Sequence, residues 1–417
     1  MKFSRLGSIT KKQRAANDNN MMELLVQTSQ TKLVSAGIYS YGTILLKVRQ
    51  KLEKLIREKL DKYDCVEVSL PVLQPKQLWV DSGRWDKYIK NGTMLTSTGK
   101  NGDYCLAPTG EEIMLNYVNS IVKSYKDLPI CVYQIGNKYR DEIRVRGGIL
   151  RSKEFVMKDA YSFHTSTADL NREYEQMKKC YLEIFHALGL KAFPVMACSG
   201  DMGGKISEEF MVESSLGEDK ILLDVKTGRA FNTEILEDPE TLKFYQAKYS
   251  DIDFNKLKTI QTMELGHIFQ LNQFYSKSMN GTYINKDGKE EYYEMGCYGI
   301  GVTRTLGTVI DLYSDEQGLK FPDIIAPFKY GIANMNTPEL SAAAQNLYDK
   351  LQDAGVEVIW DDRDAGIGYK LKDLTLIGSR RNIIIGKNYL ETGKVELETE
   401  DGKTTLTIEE LLKKATK

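Results

Sequence analysis

Between Tyr133 and Met157 the chain is written as a hairpin, and that commits its centre to antiparallel sheet. An apolar stretch runs into a charged turn carrying Gly147 and Gly148, and Phe155, Val156 and Met157 form the apolar return. Arg140 ends one strand and Arg151 starts the other, so two guanidinium groups can converge on one polyanion. Arginine's planar fork donates bidentately to phosphate, which lysine cannot do. A second stretch, Gly296-Cys297-Tyr298-Gly299-Ile300-Gly301-Val302-Thr303-Arg304, is a glycine-rich strand end leading into a helix. Its small residues let a flat ligand lie against backbone, and Arg304 brings a third cation. A lone Arg-Asp-Glu is usually a solvated surface; two such stretches in one chain explain each other.

The rest of the chain gives these stretches a setting. Its 417 residues hold two or three domains with full-sized cores. With 57 Lys and Arg against 58 Asp and Glu, there is no global basic field, so any nucleic-acid surface must be a local patch. The cysteines Cys65, Cys105, Cys131, Cys180, Cys198 and Cys297 form no C-x-x-C pair. Zinc and a disulfide framework are therefore disfavoured, and a reducing compartment fits. No apolar run approaches the roughly 18 residues that cross a bilayer, so no membrane association is expected. The start, 1–17, is basic and free of acids, which leaves a mitochondrial transit peptide as the alternative to a cytoplasmic protein.

Leu45, Val48, Leu52, Leu55 and Ile56 recur at helical spacing and predict a helix to about Tyr63. Cys65–Leu70 alternates as a strand and stops at Pro71. From there to about residue 320 the pattern reads as antiparallel sheet with flanking helices, one of them Leu170–Leu188. Phe321-Pro322 and Ala326-Pro327 mark a boundary. Beyond it strands at 330–335, 356–360 and 382–386 alternate with helices at 341–354 and 370–377, a small α/β domain with a mixed sheet.

The two arginine-bearing stretches resemble motifs 2 and 3 of the class II aminoacyl-tRNA synthetases, in the right order. The wording narrows this further. Lys126-Asp127-Leu128-Pro129, Lys158-Asp159-Ala160-Tyr161-Ser162-Phe163, Gly266-His267-Ile268-Phe269-Gln270-Leu271 and Gly296–Val302 are similar to bacterial prolyl-tRNA synthetases, and the likeness runs from Ser4 to Leu412. It implies an α+β class II catalytic core over 1–320, with motif 1 at about 42–71, motif 2 at about 130–160 and motif 3 at about 296–313. An α/β anticodon-binding domain would follow over 321–417. The interval 219–265 is too short for an inserted editing domain, so the chain resembles the compact type. It departs from the family at Gly42–Leu45, at Val145 in the motif 2 turn and at Arg380, where prolines are usual.

The resemblance implies a proline–tRNA ligase that uses ATP and Mg²⁺, serves tRNA(Pro), forms a homodimer through motif 1 and leaves alanine editing to a separate deacylase. Arg140 would meet the α-phosphate and Arg304 the γ-phosphate, with Glu142, Arg151 and Gly301 completing the ATP site. Thr109, Glu111, Asp159, His267 and Phe163 would line the proline site, closed by Ser199-Gly200-Asp201-Met202-Gly203-Gly204. Taken alone, Thr109 and Glu111 also read as the N-cap and first-turn carboxylate of a helix. His267 also reads as a structural histidine and Phe163 as core. The competing functions are a non-catalytic, RNA-binding or regulatory paralogue and a class II enzyme for another amino acid such as threonine or glycine.

Overall fold

A computed structural model describes residues 1–6, 20–198, 200–202 and 206–416. The chain divides into two compact units. One is built from 53–308 with the short piece 35–38; the other joins 1–34 and 39–52 to 309–417. Helix α1 (Thr43–Leu60) runs through the change from one to the other and buries Ile44, Leu45, Val48, Leu52, Leu55, Ile56 and Leu60. Those positions are the helical stripe legible in the sequence.

The larger unit carries a nine-stranded sheet, numbered here along the chain: β1 (Val66–Glu67), β2 (Ile130–Tyr139), β3 (Glu154–His164), β4 (Phe193–Ala197), β5 (Ile206–Glu213), β6 (Asp219–Leu223), β7 (Ala230–Asn232), β8 (Lys258–Asn272) and β9 (Glu294–Gly301). Their spatial order is β5-β4-β7-β6-β8-β9-β3-β2-β1. The predicted hairpin is β2 and β3, antiparallel from Ile130 opposite Phe163 to Tyr139 opposite Glu154. Strand β9 pairs antiparallel with both β3 and β8. The glycine-rich stretch is thus the middle of the sheet. The strand expected over 65–70 shrinks to two residues, Val66 and Glu67, because only these pair with β2, in parallel.

Two helices flank the sheet. Helix α2 (Glu111–Ile121) follows the 105–110 loop, and α3 (Thr167–Ala187) is capped by the Ser166 side chain, which accepts from the Asp169 amide. Leu170, Tyr174, Met177, Tyr181 and Ile184, at three- and four-residue spacing, bury α3 against β3, β8 and β9. The short interval 219–265 contains a helix, Pro239–Lys248, capped by Asp238. Its Tyr245 joins Phe231, Tyr249 and Phe254 in a small aromatic cluster.

From Val302 the chain enters α4 (Val302–Tyr313). In the C-terminal unit, β10 (Tyr330–Asn334), β11 (Val358–Asp361), β12 (Asn382–Ile385), β13 (Lys394–Thr399) and β14 (Gly402–Thr407) form a mixed sheet ordered β11-β10-β12-β13-β14. Helices α5 (Pro338–Asp353) and α6 (Ile367–Leu376) alternate with its first strands as expected. The closing hairpin and α7 (Ile408–Ala415) extend that reading. No helix among the described residues is long and apolar enough to cross a membrane.

Candidate active site

Strand alternation builds one cleft. Phe155, Met157, Asp159 and Tyr161 of β3, Cys297, Gly299 and Gly301 of β9, and Leu265, His267 and Phe269 of β8 share one face and line a cavity of about 720 Å³. The intervening residues turn to the other face, where Lys158 Nζ donates to the Tyr181 hydroxyl of α3 at 2.6 Å. Gly299 needs no side chain because one would stand in the cleft: nothing but His267 O and Met157 Sδ lies within 4 Å of its Cβ direction, at 3.8 and 3.9 Å. Gly296 is small for another reason, since a Cβ there would meet the Tyr298 hydroxyl at 2.2 Å.

One end of the cleft is cationic. Arg140 Nε donates to Pro108 O at 3.2 Å and its guanidinium lies 5.3 Å from the Phe155 ring centre. Among the described residues it makes no ion pair, which leaves its terminal nitrogens for a ligand. Arg304 donates to Leu150 O at 3.2 Å and to Glu264 Oε2 at 2.7 Å. Arg151 is clamped between Glu142, at 2.9 Å, and Glu218, at 2.6 Å. Arg140, Glu142, Arg151, Gly301 and Arg304 therefore all line the same cavity. Burial pushes the Glu264 carboxyl up, but the His267 ring beside it and the charge of Arg304 outweigh that and hold the group down at about 2. The neighbouring Glu209 and Asp219 are raised by burial, to about 7 and about 6.

The other end is a drier pocket at the start of α2. Thr109 Oγ1 donates to Glu111 Oε2 at 2.7 Å, while the Tyr161 hydroxyl and the Cys297 thiol reach Glu111 Oε1 at 3.3 and 3.4 Å. The capping role open to Thr109 falls away: Gly110 is the N-cap residue and no side chain caps the helix. Gly110 is obligatory, because a Cβ there would sit 2.5 Å from Asp159 Oδ2. Asp159 is buried against Lys138, with 2.7 Å between charged atoms, and accepts from Gln134 and Tyr161. His267 stacks on Phe269 with ring centres 3.8 Å apart, and its Nδ1 lies 3.6 Å from both Glu209 and Glu264.

Phe163 is elsewhere. It points to the same face as Asp159 and Tyr161 but packs edge-on against Tyr293, in a core with Met114, Leu115 and Val118, and does not line the cleft. The apolar walls are Phe155 and Phe269 instead. Of the expected closing segment, Met202 lines the cleft; Ser199, Gly203 and Gly204 lie outside the described residues, as does the Asp201 side chain. Sequence reasoning missed Tyr161, Glu209, Glu264 and Arg84. The one local signal for Arg84 is its place directly before Trp85 and five residues after Trp79.

Comparison with known proteins fits this geometry. Residues 95–313 match the tRNA synthetase class II core domain (G, H, P, S and T), and 325–417 match the anticodon binding domain. The chain is similar to the proline–tRNA ligase of Wolbachia sp. subsp. Drosophila simulans (strain wRi), 37% identical over 374 residues covering 88% of this chain and 87% of that one. It is also similar to the proline–tRNA ligase of Leptospira biflexa, 32% identical with 90% and 89% covered. That alignment spans 521 positions, more than this chain contains, so the Leptospira protein carries internal residues absent here. Among solved structures, the Giardia lamblia prolyl-tRNA synthetase in complex with prolyl-adenylate superposes with a TM-score of 0.75 at 19% identity, over 94% of this chain and 75% of that one. The chain belongs to the prolyl-tRNA synthetase family, with a class II core followed by an anticodon-binding domain.

Proposed function

We propose that this chain is a proline–tRNA ligase: it activates L-proline with ATP and transfers the prolyl group to the 3′ end of tRNA(Pro). The observation that carries this reading is one cleft with three arginines at one end and a buried, hydrogen-bonded carboxylate at the other. Such a cleft suits a polyphosphate at one end and an ammonium at the other.

In the first step a proline carboxylate oxygen attacks the α-phosphorus, and the bond to the departing pyrophosphate breaks. Little proton chemistry is needed, so positioning and charge stabilisation supply the rate. Arg140 stabilises charge growing at the α-phosphate. Arg304 holds the far phosphate, and its partner Glu264 keeps it oriented while no nucleotide is present. Arg151, fixed by Glu142 and Glu218, lies over the base, and Glu142 accepts from the adenine amino group. Glu111 takes the secondary ammonium, with Thr109, Asp159 and His267 shaping the pocket. The carboxylates of Glu209 and Glu264, whose donor atoms cluster with that of His267 within 4.8 Å, would be the oxygen ligands for a Mg²⁺ accompanying ATP, which would offset phosphate charge. In the second step the terminal ribose hydroxyl attacks the prolyl carbonyl and AMP leaves.

The functional division falls at about residue 320, with 1–320 catalytic and 321–417 reading unstacked anticodon bases. A homodimer would form at the motif 1 edge, where Val66 in the end strand β1 is 56% exposed. The protein works in the cytoplasm beside a separate deacylase. Proline-dependent ATP–pyrophosphate exchange tests the reading, with alanine and threonine run alongside. Strong exchange with proline supports it; exchange led by threonine, or none with any amino acid, overturns it.

A further inference from the structure

One guanidinium that does not line the cleft holds three residues that do. Arg84 is 2% exposed. Its Nη1 donates to Glu111 Oε2 at 3.1 Å and to Glu112 Oε1 at 2.9 Å. Its Nη2 donates to the Tyr88 hydroxyl and, at 3.5 Å, to Met202 Sδ. Glu111, Tyr88 and Met202 come from three separate segments: the start of α2, the helix Trp85–Lys90 and the turn Gly200–Met202. The guanidinium is packed among the rings of Tyr88, Trp79 and Tyr275, at 4.4, 5.2 and 5.3 Å. Glu112 also accepts from Ser82 Oγ at 2.8 Å, which holds it in place as the second acceptor for Nη1.

A buried ion pair of this kind costs more in desolvation than an apolar substitute would, so stability alone is a weak reason for it. Its geometry supplies a better one. With Thr109 and Arg84 both on Oε2, the other oxygen of Glu111, a residue that lines the cleft, is met only by the weaker Tyr161 and Cys297 contacts. We propose that Arg84 is a positioning residue for amino-acid recognition, fixing the Glu111 carboxylate so that it selects a substrate carrying a secondary ammonium. This rests on the reading of the cleft as a proline-activating site.

The test uses the full-length protein in pyrophosphate exchange, with two probes. One is L-proline. The other is tetrahydrofuran-2-carboxylate, the same ring with an ether oxygen in place of the ammonium, measured as an inhibitor. R84M should raise the proline KM on the order of 30-fold, the loss expected when a buried charge pair is broken, and leave the ATP KM within about twofold. Preference for proline over the ether should fall by at least about tenfold, since only the ammonium needs Glu111. R84K should lie between, because one ammonium cannot span both carboxylates and Tyr88; should R84M not fold, R84K carries the same comparison. Parallel loss of proline and ether binding would show a merely structural role and overturn the inference, as would an unchanged proline KM. Wild-type protein with no proline-dependent exchange would sink the functional reading itself, and that control separates the two failures.

Discussion

Arg140→Lys isolates the chemistry of one guanidinium. In the folded protein Nε of Arg140 is taken by the Pro108 carbonyl, and the plane lies near the Phe155 ring, so the terminal nitrogens are presented as a fork. A lysine keeps the charge but offers a single ammonium. It can reach a phosphate oxygen or the Pro108 carbonyl, not two phosphate oxygens while anchored. Removing one preorganised donor from a developing oxyanion costs about 3 kcal/mol, which is on the order of 100-fold in kcat. Stability should change little, by about 1 kcal/mol for the single hydrogen bond to Pro108. The assay is proline-dependent pyrophosphate exchange, with the proline KM determined separately. The expected result is a kcat lower by two orders of magnitude with a proline KM within about threefold of wild type. A kcat within about fivefold of wild type would refute the assignment of Arg140 to the α-phosphate, as would a loss confined to proline affinity.

Three further outcomes follow from the same geometry. Phe163→Leu should lower thermal stability, by about 1 kcal/mol as a core volume change, and leave the proline KM unchanged; a raised KM in a stably folded variant would return Phe163 to the pocket. Glu264 has its carboxyl held at about 2 against an ordinary 4.5, so its stabilisation is present above pH 4.5 and is lost as pH falls through 2. Denaturant unfolding of wild type and E264Q should thus differ by up to about 3 kcal/mol near pH 6, a gap that closes on acidification; a gap constant with pH would contradict the pairing with Arg304 and His267. Alanine lacks the ring methylenes and carries a primary ammonium that a carboxylate also accepts, and missing methylenes are worth about 1–3 kcal/mol. The purified protein should therefore form alanyl-tRNA detectably, and rapid unaided clearance of that product in a deacylation assay would remove the need for a separate deacylase.

Local periodicity carried most of the fold. The stripe Leu170, Tyr174, Met177, Tyr181 and Ile184 is enough to write α3, and alternation beyond Pro327 is enough to write the C-terminal sheet. Strand ends were less legible: Cys65–Leu70 alternates along its whole length, yet the ladder stops after Glu67, where the Val68 amide makes a last bond to Tyr133 O and the chain leaves β2, which itself runs on to Tyr139. The cleft residues were found by motif, not by pattern, and pattern failed where sequence separation is large. Arg84 meets Glu111 and Glu112 only after the chain has passed through a small sheet between them. Glu209, Asp219 and Glu264 come together because of the register between β5, β6 and β8, which no local feature encodes. Phe163 shows the converse limit. Side-chain alternation placed it correctly on the face of Asp159 and Tyr161, but whether that end of the face is open or covered depends on α2 and Tyr293, far along the chain.

The most direct test of the central claim is aminoacylation: the purified protein, ATP, Mg²⁺ and labelled proline are incubated with a tRNA(Pro) transcript, and acid-precipitable label is counted. The account requires prolyl-tRNA to form, to depend on ATP, and to form on the order of 100-fold more slowly in R140K. Failure to charge tRNA(Pro) by a folded protein that binds the transcript would contradict it and favour a non-catalytic, RNA-binding role.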